Sequence, residues 1–277
     1  MNISTPIKAL LSLTMALGLC VNANAHRAWI LPSSTNLSGE TPWVTFDAAV
    51  SNSLFVPEYV PLRMKGLLVQ DPLGKTVEVE NTNTGKFRST FDLNLLTPGT
   101  YKLSYASGGL SASWKDKEGK RKRWPGRGET AVEADFTTAV PQNADSLKVA
   151  RSFRRLETFV TSGEPTVKVF EPSNSGLELV PVTHPNDLFA GESAKFQFLF
   201  HGKPAVGVKL AIVKGDTRYR NDQNQLDLVT DAKGFVNITW PEAGMYLLEA
   251  DYEDDIAEAP ATSRRGSYGA TFSVLPL

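Results

Sequence analysis

The chain has one cysteine in 277 residues. Cys20 sits inside an apolar leader, so the remainder of the protein can form neither disulfides nor thiolate metal centres. Also missing are a G-x-S-x-G elbow, a Walker loop, a dinucleotide fingerprint and an H-E-x-x-H helix. Familiar hydrolytic, nucleotide-dependent and zinc-protease chemistries are thereby set aside, and no enzyme is expected. Charge of either sign is not in excess: Lys+Arg 29 against Asp+Glu 30 gives a net charge of -1. Such a balance argues against a nucleic-acid partner or a polybasic membrane-surface protein. Past the leader, no apolar run approaches the roughly 20 residues of a spanning helix. Histidine is scarce as well, with only His26, His184 and His201.

What is present begins with an export signal. Lys8 supplies a positive start, Ala9 to Val21 is almost wholly apolar, and Ala23-Asn24-Ala25 ends the segment with the pattern a signal peptidase accepts. Residues 1–25 therefore read as a cleaved signal peptide, and the mature periplasmic protein starts at His26. Lipidation at Cys20 is the rival processing route, but Leu19 is too bulky for the position before a lipidated cysteine.

From Trp43 onward, short runs rich in Val, Thr, Phe and Tyr are broken by Gly, Pro, Asn or Asp, the pattern of β-strands in a sandwich. Strands are expected at Trp43–Val50, Leu67–Gln70, Thr76–Glu80, Phe87–Leu93, Gly99–Tyr105 and Thr130–Thr137, with a turn at Asp71-Pro72-Leu73-Gly74. A second set is expected at Ala194–Phe200, Val208–Lys214, Leu226–Thr230, Phe235–Trp240, Gly244–Ala250 and Tyr268–Leu275. The fold class is thus all-β, with two antiparallel β-sandwich domains of Ig-like type, 26–140 and 181–277, joined by a linker, 141–180. Within the linker, Leu147, Ala150, Phe153 and Leu156 could share a helix face, while Leu156–Thr161 could equally be a strand. A faint repeat relates the halves: Thr97-Pro98-Gly99-Thr100-Tyr101 resembles Glu242-Ala243-Gly244-Met245-Tyr246.

Among candidate ligands, His26 stands out because an amino-terminal histidine offers its α-amine and Nδ1 as one chelating unit for Cu(II) or Ni(II). His184, between two prolines in Pro181-Val182-Thr183-His184-Pro185, is the expected second ligand, whereas His201 reads as an exposed turn residue. Asp251-Tyr252-Glu253-Asp254-Asp255 reads as a solvated acidic turn before it reads as a cation site. The hairpin Trp114 to Trp124 gathers Lys115, Lys117, Lys120, Arg121, Lys122 and Arg123. That hairpin is either an exposed soluble tip or a dock for an acidic protein, lipid head groups or an anionic ligand.

His26-Arg27-Ala28-Trp29-Ile30-Leu31-Pro32 after the A-x-A site, Phe46-Asp47-Ala48-Ala49-Val50-Ser51-Asn52, Lys122-Arg123-Trp124, Gly176-Leu177-Glu178-Leu179-Val180-Pro181 and Val274-Leu275-Pro276 together resemble one family. It is the bacterial periplasmic domain of unknown function 4198 family, some members of which accompany nickel or cobalt uptake transporters. Gly202-Lys203-Pro204 and Thr230-Asp231-Ala232-Lys233-Gly234 make the second domain similar to a transthyretin-like or carboxypeptidase-regulatory sandwich. The resemblance implies a non-catalytic accessory that binds a divalent transition metal ion (Ni, Co or Cu, with iron or a siderophore complex also admissible) and presents it to a membrane transporter or receptor system. Where similar proteins carry an Asp-His pair this chain reads Pro57-Glu58-Tyr59, so a ligand implied there is missing. The alternative is an interaction module that binds protein or glycan without metal; a copper oxygenase ranks last.

Overall fold

The computed structural model describes residues 26–126 and 129–277. The expected signal peptide, with Cys20, lies outside the described residues. The chain is almost entirely β-strand, and its short helical turns, including Glu133–Asp135 and Phe136–Ala139, are minor. Among the described residues, no helix is long and apolar enough to cross a membrane.

Two strands, Gly99–Lys115 and Asp145–Ser162, are 17 and 18 residues long and pair antiparallel along nearly their whole length, from Ser162 opposite Gly99 to Lys148 opposite Ser113. They form the middle of a 10-stranded sheet. On one side it continues through Leu67–Gln70 and Thr76–Val77. On the other it continues through Ser263–Val274, Gly244–Asp254, Lys209–Lys214 and Leu226–Val229. Ser263–Val274 runs parallel to Asp145–Ser162. Parallel neighbours need a long crossover, and here the crossover is most of the second half of the chain.

That intervening chain builds a small 4-stranded sheet, in which Ser193–Phe200 pairs with Leu177–Pro181, Lys203–Pro204 and Phe235–Thr239. The first half of the chain builds a 5-stranded one around Trp43–Ser51, flanked by Arg27–Pro32 and Ser89–Asn94. Side chains alternate faces along a strand, and the alternation assigns each small sheet its side. Leu156 and Val160 point into a core with Phe46, Phe91, Tyr101 and Leu103, while Phe159 points into a core with Phe196, Phe198, Trp240, Tyr268 and Phe272. The two small sheets therefore pack on opposite faces of one long sheet. A third apolar cluster, of Leu110, Ala112, Val149, Phe136 and Val140, closes the tip of the long strands.

The arrangement revises the expectation for residues 141–180. Instead of a linker, this stretch contains Asp145–Ser162, the strand that both cores share. Neither half is a free-standing sandwich, because each borrows its second layer from the same sheet. Apolar parity also changes along Gly99–Lys115: Tyr101 and Leu103 face the first small sheet, whereas Leu110 and Ala112 face the opposite side. The change falls at Gly108-Gly109. At Gly108 a Cβ would run into the Ser152 carbonyl and the Phe153 Cα, so only glycine allows this close approach.

The faint repeat is structural. Gly99 and Gly244 both adopt positive φ, and two residues later a tyrosine hydroxyl bonds backbone four residues upstream: Tyr101 Oη accepts from the Thr97 N–H at 2.8 Å, and Tyr246 Oη donates to the Glu242 carbonyl at 2.8 Å. Both are tyrosine corners. The turns expected from Asp-x-x-Gly are formed as well, with Asp71 Oδ1 accepting from the Leu73 and Lys75 amides and Asp231 Oδ1 from those of Lys233 and Phe235.

Because Phe159 and Val160 are neighbours that feed different cores, the two halves should unfold together. Phe159→Ala should cost about 3–5 kcal/mol and Val160→Ala somewhat less. Each should shift one common transition in chemical denaturation followed by tryptophan fluorescence and circular dichroism. Two separated transitions, with each variant moving only one, would contradict the shared-strand architecture.

Candidate functional site

The strands of the first small sheet are at most 9 residues long, as in Trp43–Ser51, half the length of the strands beneath them. They cannot cover the whole face. The uncovered part of this face carries, from Asp145–Ser162, the even-numbered Lys148, Ala150, Ser152 and Arg154, before Leu156 enters the core. Neighbouring strands set these residues in cross-strand rows. Arg123, Ser113 and Lys148 form one row; Ser111, Ala150 and Ser263 the next. Gly109, Ser152, Arg265 and Glu253 follow, and then Ser107, Arg154, Ser267, Asp251 and Lys209.

The result is a floor of serine, glycine and alanine with arginine and lysine rising from it. Two adjoining hollows of about 680 and 730 Å³ occupy the floor, sharing Glu253 and Arg265. Arg265 pairs with Glu253 at 3.2 Å. Arg121, Arg123, Lys148, Arg154 and Lys209 are exposed, and none makes an ion pair among the described residues. Burial pushes the Asp251 carboxyl above the usual carboxylate range, against the pull of Arg154. The face thus carries net positive charge within a nearly neutral protein.

The basic hairpin expected at Trp114 to Trp124 supplies only part of this surface. Its strand Arg121–Trp124 alternates, so Arg121 and Arg123 reach the open face while Trp124 turns to the other side. There Trp124 meets Phe136 edge-on at 5.5 Å and, with Trp114, packs against the tip cluster. Both indoles serve packing. The remaining contributors, Lys148, Arg154, Ser263 and Arg265, carry no local motif; only the sheet register brings them together.

The three histidines lie apart. His26 is exposed and stacks on Tyr59, ring centroids 4.1 Å apart, at the Ser51 end of the first small sheet. Beside it Arg27 donates to Glu249 at 2.9 Å and to Gln223 at 2.9 Å. Burial raises the Glu249 carboxyl, opposed by Arg27.

His184 belongs to a polar network at the other end of that sheet. Its Nδ1 accepts the Asn186 amide at 3.1 Å, and its Nε2 lies 3.0 Å from Thr100 Oγ1. Thr100 Oγ1 lies 3.0 Å from Thr161 Oγ1, which donates to Asn186 Oδ1 at 2.8 Å, and Asn36 donates to the Asn186 carbonyl at 3.0 Å. Arg27–Pro32, about 20 Å of strand, separates His26 from this neighbourhood, so the structure does not bring the two expected ligands together. His201 meets Phe153 and Phe200 edge-on, each at 4.5 Å, wedged between rings instead of free in its turn. Among the described residues, no group of three or more His, Cys, Asp or Glu side chains is placed to hold a metal ion.

An all-β protein with three stacked sheets and an open basic face is the class these features define. The chain belongs to the family described as Domain of unknown function (DUF4198), whose model matches residues 23–254. A search of curated proteins returns no match. Similar solved structures include a DUF3823 family protein from Bacteroides uniformis, 10% identical, covering 78% of this chain and 93% of that one at a TM-score of 0.24. The D0-D1 domain of Intimin is 11% identical, covering 88% and 97% at 0.21, and a marsupial T cell receptor 12% identical, covering 91% and 74% at 0.20. TM-scores this low carry no argument about fold or function.

The His184 network predicts a pH dependence. Burial pushes this imidazole below its ordinary range, and the Asn186 amide occupies the lone pair a proton would take. The unfolded chain then protonates first, near the usual pKa of about 6.5. The stability held in the neutral ring is complete above that pH and is lost as pH falls through the lower folded value. His201, lowered by burial and by Arg264, acts in the same sense, while the raised Glu249 and Asp251 act oppositely. Tm should fall by a few degrees between about pH 7 and pH 5, and His184→Gln should flatten part of that decline. An unchanged slope in the variant would contradict the role of the ring.

Proposed function

We propose that this protein is an exported, periplasmic, non-catalytic β-sandwich module that binds an acidic partner, protein or glycan, through the open face of its long sheet and without a metal. The observation that carries the reading is the concentration of Arg and Lys over a serine floor, most of them without an ion pair among the described residues, in a chain whose overall charge is -1. Charge this uneven steers and holds a partner of opposite sign. The export signal read from residues 1–25 and the family membership support the location. In fluorescence anisotropy, labelled acidic polymers should bind, with log affinity falling linearly with log salt, as for any ligand held by several cations. Arg123→Ala/Lys148→Ala/Arg265→Ala should weaken binding by about tenfold or more and reduce the salt slope. Wild-type-like binding by this variant would remove the face from the account.

A second reading, a metal-binding accessory for nickel, cobalt or copper uptake, is favoured by one observation: the exposed imidazole of His26, the mature amino terminus in the export reading. The pairing with His184 has no support from geometry, since both nitrogens of that ring face hydrogen-bond partners. Tyr59, within the segment where similar proteins carry Asp-His, is instead the neighbour of His26. In calorimetric titration of the chain beginning at His26 with Cu(II) or Ni(II), any binding should survive His184→Ala and vanish in His26→Ala. Tyr59→His, which puts a second imidazole beside the first, should tighten it. Loss of binding in His184→Ala would restore the two-histidine site.

A further inference from the structure

Resting on the open-face reading above, we infer that the acidic partner is a linear polyanionic saccharide, lying in the trough with its charged groups on the Arg and Lys rows and its hydroxyls on the serine floor. Four features of the face select this class over an acidic protein or a membrane.

The first is the lack of an apolar anchor. Trp124, Phe153 and Tyr252 border the hollows but are half-buried and pack against the clusters on the opposite face, which leaves Val206, at the margin, as the one large apolar lining residue that is exposed, among the described residues. Protein partners draw most of their affinity from aromatic and aliphatic side chains buried at the centre of the contact. Here the centre is Ser152, Ser263 and Ala150. Asp145–Ser162 and Ser263–Val274, in the middle of the floor, are paired on both sides, so an acidic peptide could add a strand only at the margin, along residues 106–111 or the outer edge of Arg121–Trp124.

The second is the hydroxyl floor. Each serine both donates and accepts a hydrogen bond, which matches the neutral hydroxyls of a sugar. The guanidinium forks of Arg123 and Arg154, which make no ion pair among the described residues, match carboxylate, phosphate or sulfate. A saccharide bearing acid groups uses both kinds of partner.

The third is spacing. Arg123 and Lys148 flank Ser113 on either side, about 10 Å apart across two strand intervals, and Arg265 lies two rows further, about 14 Å from Lys148. All three line one hollow, where a single small anion neutralises only part of their charge. A polymer charged at regular intervals reaches them all, gaining by effective concentration with each.

The fourth is recess. The first small sheet covers the adjoining part of the same face through Leu156 and Val160 and stands about 10 Å above it. A planar bilayer resting on that step does not touch the serine floor, whereas a narrow chain lies along it.

The test compares labelled polygalacturonate, dextran sulfate, neutral dextran, polyglutamate and phosphatidylglycerol vesicles against the chain beginning at His26. At least one charged glycan should bind about tenfold more tightly than polyglutamate at equal salt, and neutral dextran should not bind. Ser152→Leu, which changes no charge, should weaken the glycan by several-fold and leave polyglutamate unaffected; Arg63→Ala/Lys65→Ala, exposed cations elsewhere, should change nothing. Polyglutamate or vesicles binding as tightly as the best glycan would overturn the saccharide class while leaving the acidic-partner reading in place. No binding by any polyanion would overturn both.

Discussion

The structure depends on one strand serving two cores at once. Asp145–Ser162 places Leu156 and Val160 under the first small sheet and Phe159 under the second, so the layers stack on a common plane. Its neighbours fix the register on either side: sixteen paired positions run along Gly99–Lys115, and a parallel ladder to Ser263–Val274 ties in the chain's last strand. A strand buried on both faces over part of its length is typical of stacked layers. What is unusual is that it continues beyond the shorter sheet above it. The overhang is the open face, and its chemistry follows from having water on that side.

Polar groups inside this framework hold position. Glu157 is 4% exposed yet fully engaged: Tyr268 donates to it at 2.7 Å, and Arg155 lies between Glu157 and Glu178, at 3.5 and 3.4 Å. Burial and the adjacent carboxylate push the Tyr268 phenol well above its ordinary range, so it stays a donor at any physiological pH. With the His184 network at the opposite end, these contacts specify how the long sheet meets the elements packed on it. Breaking such a network by removing one partner leaves a buried polar group unpaired, which costs more than the bond contributes.

Much of the fold was legible in the residues. Ser193–Phe200 alternates Phe196, Phe198 and Phe200 inward, the Asp-x-x-Gly turns lie where their residues require, and the Gly-x-Tyr repeat marks two tyrosine corners. The central strand was legible only at Leu156–Thr161, where a strand stood as one of two readings, because its two halves obey different rules. Leu156 to Ser162 is apolar or small on both faces except at Glu157, while Asp145 to Arg155 carries Lys148, Arg151, Arg154 and Arg155, a composition that reads as connecting chain. The open face was equally hidden: Arg123, Lys148 and Arg265 come from three segments far apart in sequence, each an ordinary exposed strand residue by itself. Register converts them into a site. Histidine scarcity drew attention to His26 and His184, but scarcity says nothing about proximity, and the fold sets them at opposite ends of one sheet.

The central claim is that recognition happens on the overhanging face. Backbone-amide NMR shifts recorded while polygalacturonate is titrated into the chain beginning at His26 test it most directly. The account predicts perturbations concentrated at Ser111, Ser113, Lys148, Ser152 and Arg265, continuous across strands and diminishing with salt. Perturbations confined to the surroundings of His26 and Tyr59, or to the hairpin tip at Glu118 and Gly119, would contradict it.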